Sequence, residues 1–259
     1  MKLQEIIDIQ TYPVLDQGFR AQCKDTLDQT GVLILPEFLR APAIAAIYQE
    51  GQDGEDKAYF CNQNHNVYLT EPDPNYASDH PRNRDVLSSK GCICDDIIAE
   101  QSPLRHLYDS EDFKSFLCDV LGEQALYEYA DPLSSINLHY AKPGQELGWH
   151  FDNSSFSITL MIKSPEQGGQ FEYVGGMRNS EEGEMNFEGV KAVLDGQTAV
   201  KTLNMQPGAL VLFRGRDAIH RVAPVEGAGT RMLVVLAYNT EPGIALSESA
   251  RQTFFGRLG

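Results

Sequence analysis

Residues 148–153 read Gly148-Trp149-His150-Phe151-Asp152-Asn153. In an extended strand, residues two apart point to the same side. His150 and Asp152 therefore converge on one site, and Phe151 turns away into the wall. A second histidine, His220, opens a later β-type run, after the turn Pro207-Gly208 and the apolar run 209–213. Two histidines and one carboxylate on one face of a metal leave the opposite positions open, the facial pattern of non-haem Fe(II). An isolated His-x-Asp is common; the downstream His220 and Arg231 make this one informative. Arg231 stands near the start of the nearly continuous apolar run 230–238. A buried arginine needs an anionic partner, and a dicarboxylate co-substrate supplies one by a bidentate, charge-assisted contact.

Around this constellation the second half of the chain alternates short β-type runs with Gly and Pro turns. The runs are 135–141, 148–153, 156–163, 169–174, 198–204, 209–213, 220–224 and 230–239. Short strands so closely spaced predict a closed or sandwiched all-β unit. An acidic insert with a short helix fills 175–196, and 246–255 reads as a terminal helix.

The first half is mostly helical. Leu15, Phe19, Cys23 and Leu27 predict a helix over 14–30, stopped by Gly31. A buried strand, 32–35, ends at Pro36, and 41–50 is a second helix with Pro42 in its first turn. Ser102 and Pro103 start a single helix over 102–122. Residues 51–91 are polar and rich in Asp, Asn, Pro and Gly, and read as an irregular lid or binding loop. The expected layout is one domain over 1–259, mainly β with flanking helices: helical support and lid in 1–125, a β core in 126–240 and a C-terminal helix in 241–259.

Composition narrows the partners. Hydrophobic residues make up 42% of the chain and charged residues 22%, so a sizeable core is expected. The net charge of −16 argues against a nucleic acid bound through its phosphates, and high solubility is its simplest consequence. The odd set Cys23, Cys61, Cys92, Cys94 and Cys118 fits no disulfide framework, which points to reduced thiols in the cytoplasm. No apolar stretch approaches a membrane span, and residues 1–10 do not read as a secretory signal.

Further residues near the pair are weaker candidates. Tyr140 and Asn137 lie on opposite faces of one strand, and one of them is expected to donate to the co-substrate. His139 reads as a structural histidine, and Trp149 as core with a secondary claim to substrate contact. Asn239, two-periodic with Arg231, is expected near the cavity mouth.

The combination of His150-x-Asp152, His220 and Arg231 in a β-rich C-terminal half resembles the Fe(II)/2-oxoglutarate-dependent dioxygenase superfamily. More motifs carry a narrower likeness. They are His80-Pro81-Arg82-Asn83, Ser102-Pro103-Leu104-Arg105, the run Tyr129-Ala130-Asp131-Pro132-Leu133-Ser134-Ser135, Gly148 to Ser154, and Gly168-Gly169-Gln170-Phe171-Glu172-Tyr173-Val174. They look like the group of BesD-type radical amino-acid halogenases and their hydroxylase relatives, over about residues 65–240.

The resemblance implies a double-stranded β-helix (jelly roll, cupin-like) core, with Fe(II) as cofactor and 2-oxoglutarate and O2 as co-substrates. It also implies a small free substrate, an amino acid such as lysine or a related amine. Halogenases of this kind have Gly or Ala in place of the metal carboxylate; retention of Asp152 implies the hydroxylase branch. Arg82 is the expected contact for a substrate carboxylate, beneath a cover formed by 65–91. Where lysine-acting relatives are expected to hold the amine with acids near the metal motif, this chain has neutral Asn153, leaving Asp131 or the acidic insert as substitutes. Two other readings stand beside this one: a protein or peptide side-chain hydroxylase of the same superfamily, and a non-oxidative cupin-like metal-binding protein, against which Arg231 speaks.

Overall fold

The structure, a computed structural model, describes residues 1–259. Its N-terminal part contributes α1 (Leu3–Ile6), α2 (Gln17–Thr30), β1 (Val32–Leu35), α3 (Ala41–Gly54), β2 (Tyr59–Asn66), β3 (Asp85–Ile93), α4 (Pro103–Tyr108) and α5 (Glu111–Leu121). The remainder is β4 (Ile136–Ala141), β5 (Leu147–His150), β6 (Ser157–Lys163), β7 (Gln167–Gly168), β8 (Phe171–Val174), α6 (Phe187–Leu194), β9 (Lys201–Leu203), β10 (Leu210–Phe213), β11 (Ile219–Val222), β12 (Val225–Glu226), β13 (Arg231–Leu236) and α7 (Glu248–Phe255).

One curled antiparallel sheet runs β1-β10-β6-β13-β4-β3-β5-β11-β8-β9, with β2 added beside β3. The run from β1 to β4 forms one wall, β5 to β9 the facing wall, and β3 turns the corner by pairing with both β4 and β5. This is the expected jelly roll, with helices on the outer face of the larger wall.

Strand alternation builds two interiors from one sheet. On β13, Met232, Val234 and Leu236 point outward and join the largest core cluster with Phe113, Phe116, Leu117, Ile47 and Leu27 from the helices. The intervening Arg231, Leu233 and Val235 point into the barrel. The same parity on β4 sends Leu138 and Tyr140 to the helices and His139 inward. Apolar residues occupy both faces of these strands because both faces are covered.

Several sequence expectations shift. The helix expected over 102–122 is two helices, because Ser110 accepts a hydrogen bond from the Phe113 amide and starts α5 afresh. Helix α2 ends as expected at Gly31, which adopts a left-handed conformation, φ 75°. Helix α3 runs on to Gly54, and residues 51–91 are not irregular throughout: β2 and β3 pair over their whole length from Tyr59↔Cys92 to Asn66↔Asp85. Only 67–84 between them lacks strands. No helix is long and apolar enough to cross a membrane.

Candidate metal and dicarboxylate site

His150 and His220 are direct partners on the antiparallel pair β5–β11, with ring centroids 4.1 Å apart. Each Nδ1 donates to a backbone carbonyl two residues back, His150 to Gly148 at 2.8 Å and His220 to Ala218 at 2.9 Å. Those bonds fix the tautomer and leave both Nε2 lone pairs directed at one point. The Asp152 carboxylate completes the group: Oδ1 is 3.4 Å from His220 Nε2 and 3.8 Å from His150 Nε2, and the three ligand atoms lie within 4.8 Å of one another.

Burial, reinforced by neighbouring His220, pushes His150 down to about 3, so its imidazole is neutral near pH 7. Burial by itself would raise the Asp152 carboxyl, but His220 and His150 hold it below the ordinary carboxylate value. Asp152 Oδ2 is buried with no hydrogen-bond partner. A buried carboxylate oxygen left without a partner costs free energy unless something binds it, and two imidazoles with a carboxylate suit a divalent metal such as Fe(II).

The strand expected over 148–153 ends at His150. The Phe151 amide donates to Val67 and the Asp152 amide to Gly215, so both residues leave the ladder to bind loops. Convergence of His150 and Asp152 therefore rests on the Gly215 loop as well as on strand parity. A Cβ on Gly215 would lie 1.9 Å from Asp152 Oδ2. Gly215→Ala is expected to push the carboxylate aside and weaken Mn(II) binding about 10–100-fold, the range typical of supporting residues around a metal. A calorimetric titration showing affinity within about twofold of wild type would contradict this role for Gly215.

The triad opens on a cavity of about 220 Å³ inside the barrel. Phe171 and Phe213 pack against the His220 ring at 5.3 and 5.0 Å. Arg231 lies on the same wall system, 5% exposed, with Nε and Nη2 buried and unpartnered. Burial lowers it to about 10, which still leaves the guanidinium charged at pH 7. An unpaired buried guanidinium in the same cavity as an open metal site matches a dicarboxylate that spans the two. Gly169, with φ 66°, makes room for this arginine: its Cβ would sit 3.2 Å from Arg231 Cδ.

Other expected contacts fall elsewhere. Tyr140 is among the residues that line the cavity, but its hydroxyl donates to the Gly51 carbonyl at 2.5 Å, on the helix side of β4. Asn137 spends its amide on the Leu133 and Ile136 carbonyls and is absent from the cavity wall. His139, read from sequence as structural, lines the cavity instead, and burial together with Lys90 and Arg231 holds it well below the ordinary histidine value.

None of the weaker substrate candidates is on the wall. Trp149 packs outside the barrel with Val67, Tyr68 and Phe151, under the Arg221 guanidinium at 4.9 Å. Asn153 is exposed. Asn239 pairs through its backbone with Tyr127, away from the cavity. Arg82 donates to the Glu71 carbonyl at 3.2 Å and lies over the Tyr68 ring. Of the expected cover 65–91, Ser89 and Lys90 line the cavity, and the rest of the segment does not. Asp131 is a structural acid: its carboxylate accepts from the Leu133 and Leu246 amides and the Ser134 hydroxyl. Acidic residues of the 175–196 insert are also absent from the wall.

Lys90 is one of the wall residues that the sequence left unmarked, with Ser89 and Glu146. Its signal was there: Lys90 and Cys92 share a face of β3, with Cys92 buried.

Similarity to known proteins agrees with this architecture. The structure resembles a 2OG-Fe(II) oxygenase-family oxidoreductase from Burkholderia pseudomallei at 14% identity, covering 88% of this chain and 94% of that one, TM-score 0.54. It resembles a prolyl hydroxylase in complex with a hypoxia inducible factor peptide fragment from Trichoplax adhaerens at 14% identity, covering 92% and 93%, TM-score 0.58. It resembles HygX from Streptomyces hygroscopicus, with nickel, 2-oxoglutarate and hygromycin B bound, at 14% identity, covering 90% and 95%, TM-score 0.55. At such identities the likeness establishes the fold alone. No curated protein sequence matches. The Halogenase D family model matches residues 65–253, a span that takes in β3, the triad, Arg231 and most of α7, and the chain belongs to the Halogenase D family.

Proposed function

We propose that the protein is an Fe(II)- and 2-oxoglutarate-dependent dioxygenase that hydroxylates an unactivated C–H bond of a small free substrate, an amino acid such as lysine or a related amine. The observation that carries this reading is the shared cavity of a His, His, carboxylate cluster and an unpartnered Arg231 guanidinium. His150, Asp152 and His220 would hold the metal, and Arg231 the far carboxylate of 2-oxoglutarate. When bound, the pair supplies an O2-derived oxidant able to remove hydrogen from carbon, with succinate and CO2 as by-products.

The chain's own contribution is position and exclusion of water. The Gly148 and Ala218 carbonyls hold the two imidazoles, and Gly215 leaves room for the carboxylate. Leu233, Val235, Val211, Phe213 and Met205 make the remaining wall largely apolar.

Within the Halogenase D family, Asp152 decides the outcome for this chain. Its carboxylate sits where a halide would have to bind, so hydroxylation is favoured over chlorination. Five unpaired cysteines favour a reducing compartment, the cytoplasm, and the acidic net charge disfavours nucleic acid. The whole chain is read as one oxygenase domain.

The test is incubation with Fe(II), 2-oxoglutarate and O2 in chloride buffer against free amino acids, amines and peptides, reading product masses. A product with one added oxygen from a free small molecule is expected. A chlorinated product from the wild-type protein, or activity confined to peptides, would contradict the corresponding half.

A further inference from the structure

The His150 ring is held from behind by a string of polar groups that starts on the edge strand β2. Strand β5 pairs with β3 at a single position, Ser88↔Leu147. Next to that pair a serine hydroxyl stands in for the backbone ladder: Ser88 Oγ accepts from the Gly148 amide at 3.0 Å. The Gly148 carbonyl in turn accepts from His150 Nδ1 at 2.8 Å. Only glycine can stand so near β3, since a Cβ at 148 would lie 2.5 Å from the Leu87 carbonyl oxygen.

The string continues away from the cavity. Ser88 is buried, and its Oγ lies 2.6 Å from Nε2 of His65 on β2. His65 Nδ1 faces the Asn66 carbonyl at 2.9 Å. A carbonyl only accepts, so Nδ1 carries the proton and Nε2 of the neutral ring takes the serine O–H. That contact fixes the hydroxyl rotor and leaves a lone pair on Oγ for the Gly148 amide. His65 also stands edge-on to His150, with ring centroids 6.4 Å apart and planes at 89°.

The two histidines of the triad are therefore supported differently. His220 is packed by Phe171 and Phe213. The aromatic rings beside His150 are only His220 and His65, so its outer support is a hydrogen-bonded one. Gly148 is buried, and without the Ser88 hydroxyl its amide would lose its partner.

We propose that Ser88 and His65 are positioning residues that together hold the Gly148 backbone and, through it, set the orientation of the His150 imidazole as a metal ligand. The inference rests on the metal-dependent reading above and deepens it. Neither residue lines the cavity, so both act through His150. Outer partners of a metal-bound histidine commonly govern affinity in this way.

The experiment is calorimetric titration of the metal-free protein with Mn(II), beside the visible spectrum of the Co(II)-loaded protein and thermal unfolding without metal. Ser88→Ala is expected to weaken Mn(II) binding about tenfold or more and to change the Co(II) spectrum, which reports ligand geometry. His65→Leu should weaken Mn(II) binding by less. His65→Gln, whose amide oxygen can take the place of Nε2, should recover most of that loss. In the double variant, His65→Leu should add nothing to Ser88→Ala, because the histidine acts through the hydroxyl.

A folded Ser88→Ala with Mn(II) affinity within about twofold of wild type and an unchanged Co(II) spectrum would make Ser88 a structural serine and overturn the proposal. Additive losses in the double variant would overturn it too, assigning His65 to the edge of the His150 ring instead. If Ser88→Ala does not fold, the two His65 variants decide: equal Mn(II) affinity in both would overturn the string. In each of these cases wild-type Mn(II) binding leaves the metal-dependent reading intact. Failure of the wild type to bind Mn(II) would remove that reading and the proposal with it.

Discussion

His220→Ala is expected to abolish 2-oxoglutarate-driven succinate formation and to weaken divalent-metal binding by more than the roughly 10–100-fold typical of losing an outer supporting residue. The reason is geometric: His220 is the cross-strand partner of His150, and its Nε2 is the ligand atom nearest Asp152 Oδ1. Alanine keeps the β11 backbone and its pairing with β8, so circular dichroism should be unchanged. The cavity left beside Phe171 and Phe213 should lower stability modestly. Metal titration and single-turnover assays on a folded variant check the claim; wild-type turnover would exclude His220 as a ligand.

Arg231→Leu is expected to separate binding from stability. The guanidinium is buried with two unpartnered nitrogens, and burial holds it down to about 10, so its charge costs the ligand-free fold free energy. Leucine removes that cost, and thermal unfolding of the ligand-free variant should occur at or above the wild-type temperature. The requirement for 2-oxoglutarate should rise steeply, by about 2–5 kcal/mol of lost binding, the usual cost of unpairing a buried charge. Substrate requirement should change far less. A variant with lower stability and unchanged 2-oxoglutarate affinity would mean that Arg231 is a structural arginine.

The parts legible in the sequence were those set by local periodicity. His150 and Asp152 converge as a two-residue alternation demands, and the apolar run containing Arg231 is a central strand. Leu233 and Val235 share its inward face, as parity required. Parity also explains the errors. One face of β4 is buried and the other half-buried, so nothing in Ile136–Ala141 says which set of side chains meets the helices and which meets the cavity. The Tyr140 hydroxyl and the Asn137 amide, of which one was expected to donate to the co-substrate, both bind backbone carbonyls, and His139, read as structural, lines the cavity. Lys90 was hidden by composition: Asn and Gln on the outer strand β2 made 51–91 look like loop, when that strand carries polar residues because it lies at a sheet edge. Gly215 could be found only in three dimensions, since nothing in Arg214-Gly215-Arg216 announces a neighbour 63 residues earlier, at Asp152.

The central claim is that one cavity holds a metal and 2-oxoglutarate together. Its most direct test is anaerobic titration of the Fe(II)-loaded protein with 2-oxoglutarate, followed by visible absorption. A charge-transfer band that saturates at one 2-oxoglutarate per chain, is lost in His220→Ala and needs far more 2-oxoglutarate in Arg231→Leu is the predicted result. Fe(II) binding with no band at any 2-oxoglutarate concentration, or a band indifferent to both substitutions, would contradict it.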